Sequence, residues 1–592
     1  MCGIGGILYS TGTRNLLQQQ ITQLAVRQQH RGPDGEGLWL QSPHALCHQR
    51  LSLVDEKGSA QPFADASGRY MLVYNGEVYN YQELRRELQP YYRFTTEGDT
   101  EVVLAAWLIW GVSCVQRFTG MFAFLIWDTV TETAFAARDA VGVKPFVYTV
   151  QQQTFLFASE VKALLAVIST PAINEYALAE YVIAPYLSGD GEAIHNGICY
   201  LQPGTYLQIS RGAVTTHSWY RFGWQQQQQP EEVLTAQMAD ALAQSVAMSL
   251  RADVPVGLFF SGGLDSSLLG AIAAEQAAYK PTAYTITFQQ HHDIQFDATT
   301  IVNADDLPYA QKLAHTLQLP FHRVEARHRS LAGSLQLLAQ INDRIPAWEQ
   351  EFSQHFLSIA AAKKVKAVMV GDAADEINYG YFFLLKDTVN TSPLGLLNLF
   401  GGTERLGLLS PRLQRLQPLE YLNHTYRQLA AEAGYDFARG GEESVLAMST
   451  LVHRRWLQRL LHNGDIHTMH AGLEARVPFA NREVLTVASQ VLPRYGFKAG
   501  MEKYVVRTAA LGWLDKAYAW RKKSALPRDP RLGKGYQQVL HTLLQQRNDF
   551  VDACLHRPAL EALCQLPTVT ENERMMLFNM ICLINWSKVY AN

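Results

Sequence analysis

The stretch Pro255-Val256-Gly257-Leu258-Phe259-Phe260-Ser261-Gly262-Gly263-Leu264-Asp265-Ser266-Ser267 leaves this chain few choices of fold. The apolar run from Val256 to Phe260, bounded by a proline and a glycine pair, reads as a short strand buried on both faces. Ser261-Gly262-Gly263 then makes a tight turn, and an apolar helix opens at Leu264 and runs through Leu268, Leu269 and Ile272. Strand, glycine-rich turn and helix N-terminus in that order form an anion cradle. The glycines let a ligand approach the backbone, while exposed N–H groups and the helix dipole favour phosphate. The spacing is not that of the common GxxxxGK[ST] loop. Asp265 is suited to hold Mg²⁺ on a bound diphosphate. An ordinary βα turn would explain Gly262-Gly263 alone; the whole Ser-Gly-Gly-Leu-Asp-Ser-Ser heptad favours the phosphate reading.

A chain of 592 residues is too long for one core and divides into two or more domains. With 48% hydrophobic residues it has the material for large cores, and a formal net charge of −3 draws neither nucleic acid nor an anionic membrane. Seven cysteines lie scattered without a CxxC pair, which suggests neither a zinc site nor a disulfide framework. The opening Met1-Cys2-Gly3-Ile4-Gly5-Gly6 lacks the basic region and apolar length of a signal peptide, and no run of eighteen apolar residues marks a membrane span. A cytoplasmic location is the expectation.

Cys2 follows the initiator methionine, whose removal would leave a thiol beside its own α-amine, a self-contained nucleophile and base. A second-position cysteine alone is weak evidence. It gains from His30-Arg31-Gly32-Pro33-Asp34, Gln49-Arg50-Leu51-Ser52, Tyr74-Asn75-Gly76-Glu77-Val78-Tyr79-Asn80 and Gly98-Asp99-Thr100-Glu101, expected between β-rich segments. Ala137-Arg138-Asp139 with Gly142-Val143-Lys144-Pro145 completes the set. On these residues, 1–215 resembles the glutaminase domain of class II glutamine amidotransferases, which implies an N-terminal-nucleophile hydrolase sandwich of antiparallel sheets. The resemblance implies Cys2 as the nucleophile releasing ammonia from glutamine, with Asn75 and the Gly76 N–H as oxyanion hole. It implies Arg50 on the glutamine α-carboxylate, and Glu77 and Asp99 on its α-ammonium and amide. Taken singly, Asn75-Gly76 also reads as a hairpin turn and Arg50 or Asp99 as a surface ion pair.

Gln225 to Gln229 is a low-complexity tract followed by Pro230, so residues 216–231 read as a linker and 232–592 as the second domain. A helix from about Glu231 to Leu250 places Leu234, Met238, Leu242 and Val246 on one face. After the phosphate loop come a strand at Ala283–Phe288, a helix from Asp306 to about Leu317, and strands at Phe321–Val324 and Val365–Val370. This alternation means a doubly wound parallel sheet with ligands at the strands' carboxyl ends. Gly371-Asp372-Ala373-Ala374-Asp375-Glu376 follows the last strand, where a metal and a general base belong; a solvated acidic turn capping a helix is the competing reading.

The heptad resembles the pyrophosphate loop of ATP pyrophosphatases, and the half containing it resembles the synthetase domain of asparagine synthetases. The whole chain is then α/β plus α+β, and the family activity is a glutamine-dependent ligase: ATP adenylates a carboxylic acid acceptor, pyrophosphate leaves, and ammonia displaces AMP. By motif position, Ser261, Gly262, Gly263, Asp265, Ser266, Ser267 and Gly371 would bind ATP, and Asp265 and Asp375 would hold Mg²⁺. Asp372 would be the base for the attacking ammonia, Glu376 its support, and Lys503, in Met501-Glu502-Lys503-Tyr504, would stabilise adenylation. Glu474-Ala475-Arg476-Val477-Pro478-Phe479 matches a family signature expected to shape the core. Arg521-Lys522-Lys523 either adds positive charge at the adenylation site or, as a bare basic triplet, is a solvated face, the reading its composition favours. A homodimer is a family expectation only.

The departures concern the acceptor. Val370 and Ala373 stand where the family has Ser and Gly, and Ile377-Asn378-Tyr379-Gly380-Tyr381 where Val-Phe-Gly-Gly-Tyr is usual. His470 and Ala480-Asn481 also depart. Trp348, in Arg344-Ile345-Pro346-Ala347-Trp348-Glu349, stands where an Arg grips aspartate, with Arg344 available as a shifted substitute. An indole for a cation weakens recognition of an α-carboxylate, which points to an acceptor larger or less polar than aspartate. Ordinary asparagine synthesis and intramolecular amide closure remain the alternatives; the intact glutaminase motifs speak against the cyclase.

Overall fold

The computed structural model describes residues 2–188, 191–225, 229–288, 306–328, 330–523 and 529–591. Of the glutamine tract, 226–228 lie outside the described residues, as does Met1.

Among the described residues the N-terminal half carries two six-stranded antiparallel sheets. The first runs Ile198–Tyr200, Val147–Gln151, Thr154–Ala158, Cys2–Leu8, His44–Arg50, Gly35–Gln41; the second runs Ala213–Ser218, Thr205–Ser210, Thr133–Arg138, Gly120–Asp128, Tyr70–Val78, Phe63–Ala64. Their facing apolar residues interdigitate: Ile4, Leu46 and Phe157 from one sheet meet Val73, Leu125 and Trp127 from the other. This is the stacked sandwich expected of an N-terminal-nucleophile hydrolase. The motifs do not all lie between strands, as the sequence suggested. Gln49-Arg50 ends one strand, and Asn75-Gly76 sits inside Tyr70–Val78, which excludes a hairpin turn there.

The C-terminal half is built on a five-stranded, wholly parallel sheet. Its order is Phe321–Ala326, Ala283–Phe288, Val256–Phe259, Ala367–Met369, Glu474–Arg476. In chain order this is 3-2-1-4-5, so the winding reverses between Val256–Phe259 and Ala367–Met369. The loops leaving those two strands diverge around a crevice, the position at which open parallel sheets bind ligands. The phosphate-loop heptad and the Gly371–Glu376 turn are those two loops. The strand expected at 365–370 is shorter, and Glu474–Arg476, expected only to pack the core, is the sheet's fifth strand.

The helix Glu231–Ser249 buries Leu234, Met238, Leu242 and Val246 as its periodicity demands, leaving Val233 exposed. The chain just before it is anchored rather than free. Phe222 and Trp224 are buried, Tyr435 donates to the Trp224 carbonyl at 2.8 Å, and the Gln225 N–H donates to the Ser489 carbonyl at 2.6 Å. One apolar core crosses the seam between the halves, joining Tyr181, Val182 and Leu187 to the helices around the parallel sheet. No helix among the described residues is long and apolar enough to cross a membrane.

Candidate functional site

Two centres emerge. The first lies where the sandwich's strands Cys2–Leu8 and Tyr70–Val78 face each other. The Cys2 N–H donates to Asn75 Oδ1 at 3.0 Å, and Asn75 is wholly buried with its Nδ2 unpartnered. A buried donor without an acceptor is costly unless a ligand supplies one, and an oxyanion beside Cys2 would. Gly76 is held against the neighbouring strand so closely that a Cβ would stand 2.3 Å from the Met121 carbonyl oxygen. Cys2, Arg50, Tyr74, Gly76, Glu77 and Asp99 line one pocket. Asp99, at the start of the helix Asp99–Trp110, accepts from Tyr74 Oη at 2.7 Å and from the Val78 N–H at 3.0 Å. Burial raises its pKa, and raises that of Glu77 further, where the Asp99 charge adds. Arg50 lies at the rim, its guanidinium donating to the carbonyls of Asp55 and Glu56, both at 2.7 Å.

The second centre lies at the winding reversal. Gly262 takes φ +72 and passes so near the helix Leu307–Thr316 that a Cβ would stand 2.6 Å from the Ala310 nitrogen, so only glycine fits. Ser261 Oγ lies 3.0 Å from Ser266 Oγ, closing the loop. The helix that follows has Gly263 as its N-cap, and among the described residues no side chain caps its first amides, the arrangement that suits an anion. Lys503 Nζ donates to both Asp265 oxygens, at 2.8 and 2.7 Å, and lies 2.7 Å from Asp375 Oδ1. It thus ties the two loops together.

The carboxylates here titrate apart. Burial raises Asp372 to about 7, helped by the charges of Asp375 and Asp265. Burial likewise raises Glu376 to about 7, with Asp375 adding to it and the Tyr381 hydroxyl donating to its Oε1. Asp375 goes the other way. Burial would raise it, but Lys503 and Lys523 outweigh burial and bring it down to about 2. Neighbouring acids pushed in opposite directions suit one as metal ligand and the other as base. Among the described residues no group of three or more His, Cys, Asp or Glu converges. Mg²⁺ needs only one or two carboxylates when phosphate oxygens complete its shell, and facing Asp265 and Asp375 fit that requirement.

Two sequence readings need correction. Arg521 and Lys523 are not a solvated face. Arg521 donates to the Gly262 carbonyl at 2.8 Å and to Asp306 Oδ1 at 2.6 Å, while Lys523 Nζ lies 2.7 Å from Asp375 Oδ2. Half-buried Asp265 and Asp375 draw in cations, and the triplet's proximity to Lys503 in sequence is the available clue. Arg344 does not substitute for Trp348: it turns to the glutaminase half, its guanidinium carbon 3.9 Å from the Tyr200 ring centroid. The loop 142–145 is a junction: Gln458 donates to the Val141 carbonyl at 2.6 Å and Lys144 Nζ lies 3.6 Å from Asp465.

Trp348 itself belongs to an aromatic wall. Its ring centroid is 5.7 Å from that of Trp456, which packs on Tyr186, Tyr381, Phe383 and Phe400 at 5.2 to 6.1 Å. The wall reaches the acids through Tyr381, whose hydroxyl bonds Glu376 and whose ring carries Lys523 Nζ at 3.9 Å.

A family model described as a glutamine amidotransferase domain matches residues 1–220, and one described as asparagine synthase matches residues 237–588. The glutamine-hydrolyzing asparagine synthetase 3 of Bacillus subtilis is 30% identical over 580 residues, covering 95% of this chain and 93% of its own. Asparagine synthetase B of Escherichia coli is 27% identical over 534 residues, covering 88% and 81%. A protein named Amidase chry2, from Gibberella zeae, is 25% identical over 601 residues, covering 88% of each chain.

Proposed function

The chain belongs to the glutamine-hydrolysing asparagine synthetase family, and on that premise we propose that it amidates a carboxylic acid other than aspartate. It is a glutamine-dependent, ATP-dependent carbon–nitrogen ligase. In the proposed cycle Cys2 attacks the glutamine amide, Asn75 Nδ2 and the Gly76 N–H receive the oxyanion, and ammonia leaves. Arg50, Glu77 and Asp99 hold the glutamine. At the second centre the loop Ser261–Ser267 and Gly371 take the triphosphate. Mg²⁺, held by Asp265 and Asp375, would neutralise charge on the departing pyrophosphate. Lys503 adds a fixed positive charge there, and Lys523 and Arg521 brace the loops around it. Asp372 takes the proton from the attacking nitrogen, with Glu376 beside it.

The observation that carries the acceptor reading is the Trp348–Trp456–Tyr381 wall running up to Glu376. A wall of closely packed aromatic rings favours an apolar or planar body over a free amino acid's charged head. One relative covering most of this chain bears a name other than asparagine synthetase. Aspartate remains the second reading, favoured by the asparagine synthetase names of other relatives. The test is a panel of carboxylic acids, L-aspartate included, incubated with the protein, ATP and glutamine. Mass spectrometry reads the exchange of acid hydroxyl for amino group. Faster amidation of an apolar or aromatic acid than of aspartate supports the proposal; rapid asparagine formation alone refutes it.

A further inference from the structure

The helix Leu457–His470 touches both centres through consecutive residues. Asp465 accepts from Arg31 Nη2 at 2.8 Å, and Arg31 Nε donates to the Cys2 carbonyl at 3.1 Å. Its neighbour Gly464 faces the other way. A Cβ on Gly464 would lie 3.1 Å from Asp372 Oδ2 and 3.4 Å from Gln354 Nε2, with nothing else within 4 Å. Glycine inside a helix costs roughly 0.5–1 kcal/mol relative to alanine, so its use here calls for a reason. The reason offered by the geometry is the carboxylate. Among the described residues no hydrogen-bond donor reaches Asp372, and a methyl at residue 464 would press on Oδ2 and cover the side facing the helix that is tied to Cys2.

We propose that Gly464 is a positioning residue for amination: it keeps open the approach by which the nitrogen nucleophile reaches Asp372. The inference rests on the reading of Asp372 as base. In that step the ammonia nitrogen bonds to the acyl carbon of the acyl-adenylate, and the bond from that carbon to the AMP oxygen breaks. AMP leaves with the electron pair, and a proton passes from nitrogen to an Asp372 oxygen.

The test compares Gly464→Ala and Gly464→Val with the wild type, using as acceptor the acid of the panel that the wild type amidates fastest. Alanine is the better helix former, so a folding defect is not expected for that variant. Ammonium chloride and glutamine are each supplied as nitrogen source. Acceptor-dependent ATP–pyrophosphate exchange and glutamate release should stay within about twofold of wild type, because neither step uses this approach. Amide formation should fall about tenfold in Gly464→Ala and further in Gly464→Val with either nitrogen source, with unused ammonia released. Unchanged amide formation in both variants overturns the proposal, as does an equal fall in pyrophosphate exchange. Asp372→Asn separates the two readings. If it too retains amide formation, the base assignment fails; if it loses amide formation while the Gly464 variants keep it, only the Gly464 inference falls.

Discussion

Arg31 and Asp465, 434 positions apart, meet in an ion pair of 2.8 Å that solvent does not reach. Arg31 also donates to Glu160 at 2.8 Å and to the Cys2 carbonyl, so one guanidinium fastens the strand Cys2–Leu8 to the helix flanking Asp372. Removing one member of a buried pair strands the other's charge. Asp465→Ala should therefore destabilise the protein by about 3 kcal/mol, read as a lowered thermal midpoint. It should also lower the amide formed per glutamine hydrolysed. A variant as stable and as well coupled as wild type would show that the pair does not join the halves.

Cys2→Ala should abolish glutamine-driven amide formation and leave the ammonium-driven reaction intact. Asn75→Ala, which removes the unpartnered buried donor, should slow glutamate release by about 10²–10³-fold. Loss of the ammonium-driven reaction in Cys2→Ala would contradict separate centres.

Lys503 neutralises Asp265 and Asp375 together. Lys503→Met should lower ATP–pyrophosphate exchange by at least about a hundredfold while sparing glutamate release. It leaves two facing carboxylates short of a cation, so added Mg²⁺ should raise the variant's thermal midpoint more than the wild type's. Equal shifts would argue against these acids as the metal's ligands.

Trp348→Ala should raise the KM of an apolar acceptor about tenfold, the loss of roughly 1.4 kcal/mol of ring contact, with less effect on kcat. An unchanged KM would remove the aromatic wall from the acceptor site.

His453 is buried, stacked on Phe222 at 4.5 Å, and burial with the nearby Arg454 charge lowers its pKa to about 3. An unfolded histidine titrates near 6.5, so below that pH the unfolded chain gains a proton that the folded chain refuses. This residue's penalty grows as pH falls from about 6.5 toward 3, and reaches about 2 kcal/mol by pH 5. His453→Phe should escape it. The difference in thermal midpoint between variant and wild type should widen in the variant's favour from pH 7 to pH 5; a constant difference would place the acid sensitivity elsewhere.

The heptad at Ser261–Ser267 was legible because strand, turn and helix signals lie within a dozen positions, where apolar runs and glycine act locally. The helix Glu231–Ser249 was legible for the same reason, its four large buried apolar residues following one helical face. Ala373 shows the limit: it adopts φ 71, a conformation glycine takes without strain, although its identity gives no hint of it. The triplet at 521–523 stays ambiguous in sequence because local composition cannot tell a basic run in water from one drawn onto half-buried acids. Trp348 stands out in the sequence, but not the wall of rings from four other segments that it joins through Trp456.

By itself, then, the sequence determined the two halves, their sheet types and the strand–turn–helix of the Ser261–Ser267 heptad, since each is written in contiguous residues with a short-range physical signature. Tertiary structure alone decided which charges meet: Lys503 with Asp265 and Asp375, Lys523 with Asp375, Arg31 with Asp465, and the bare face of Gly464 with Asp372. Such pairings join positions whose separation along the chain carries no periodicity. What selects them is the cost of leaving a buried charge alone, which arises only once the core has closed around it.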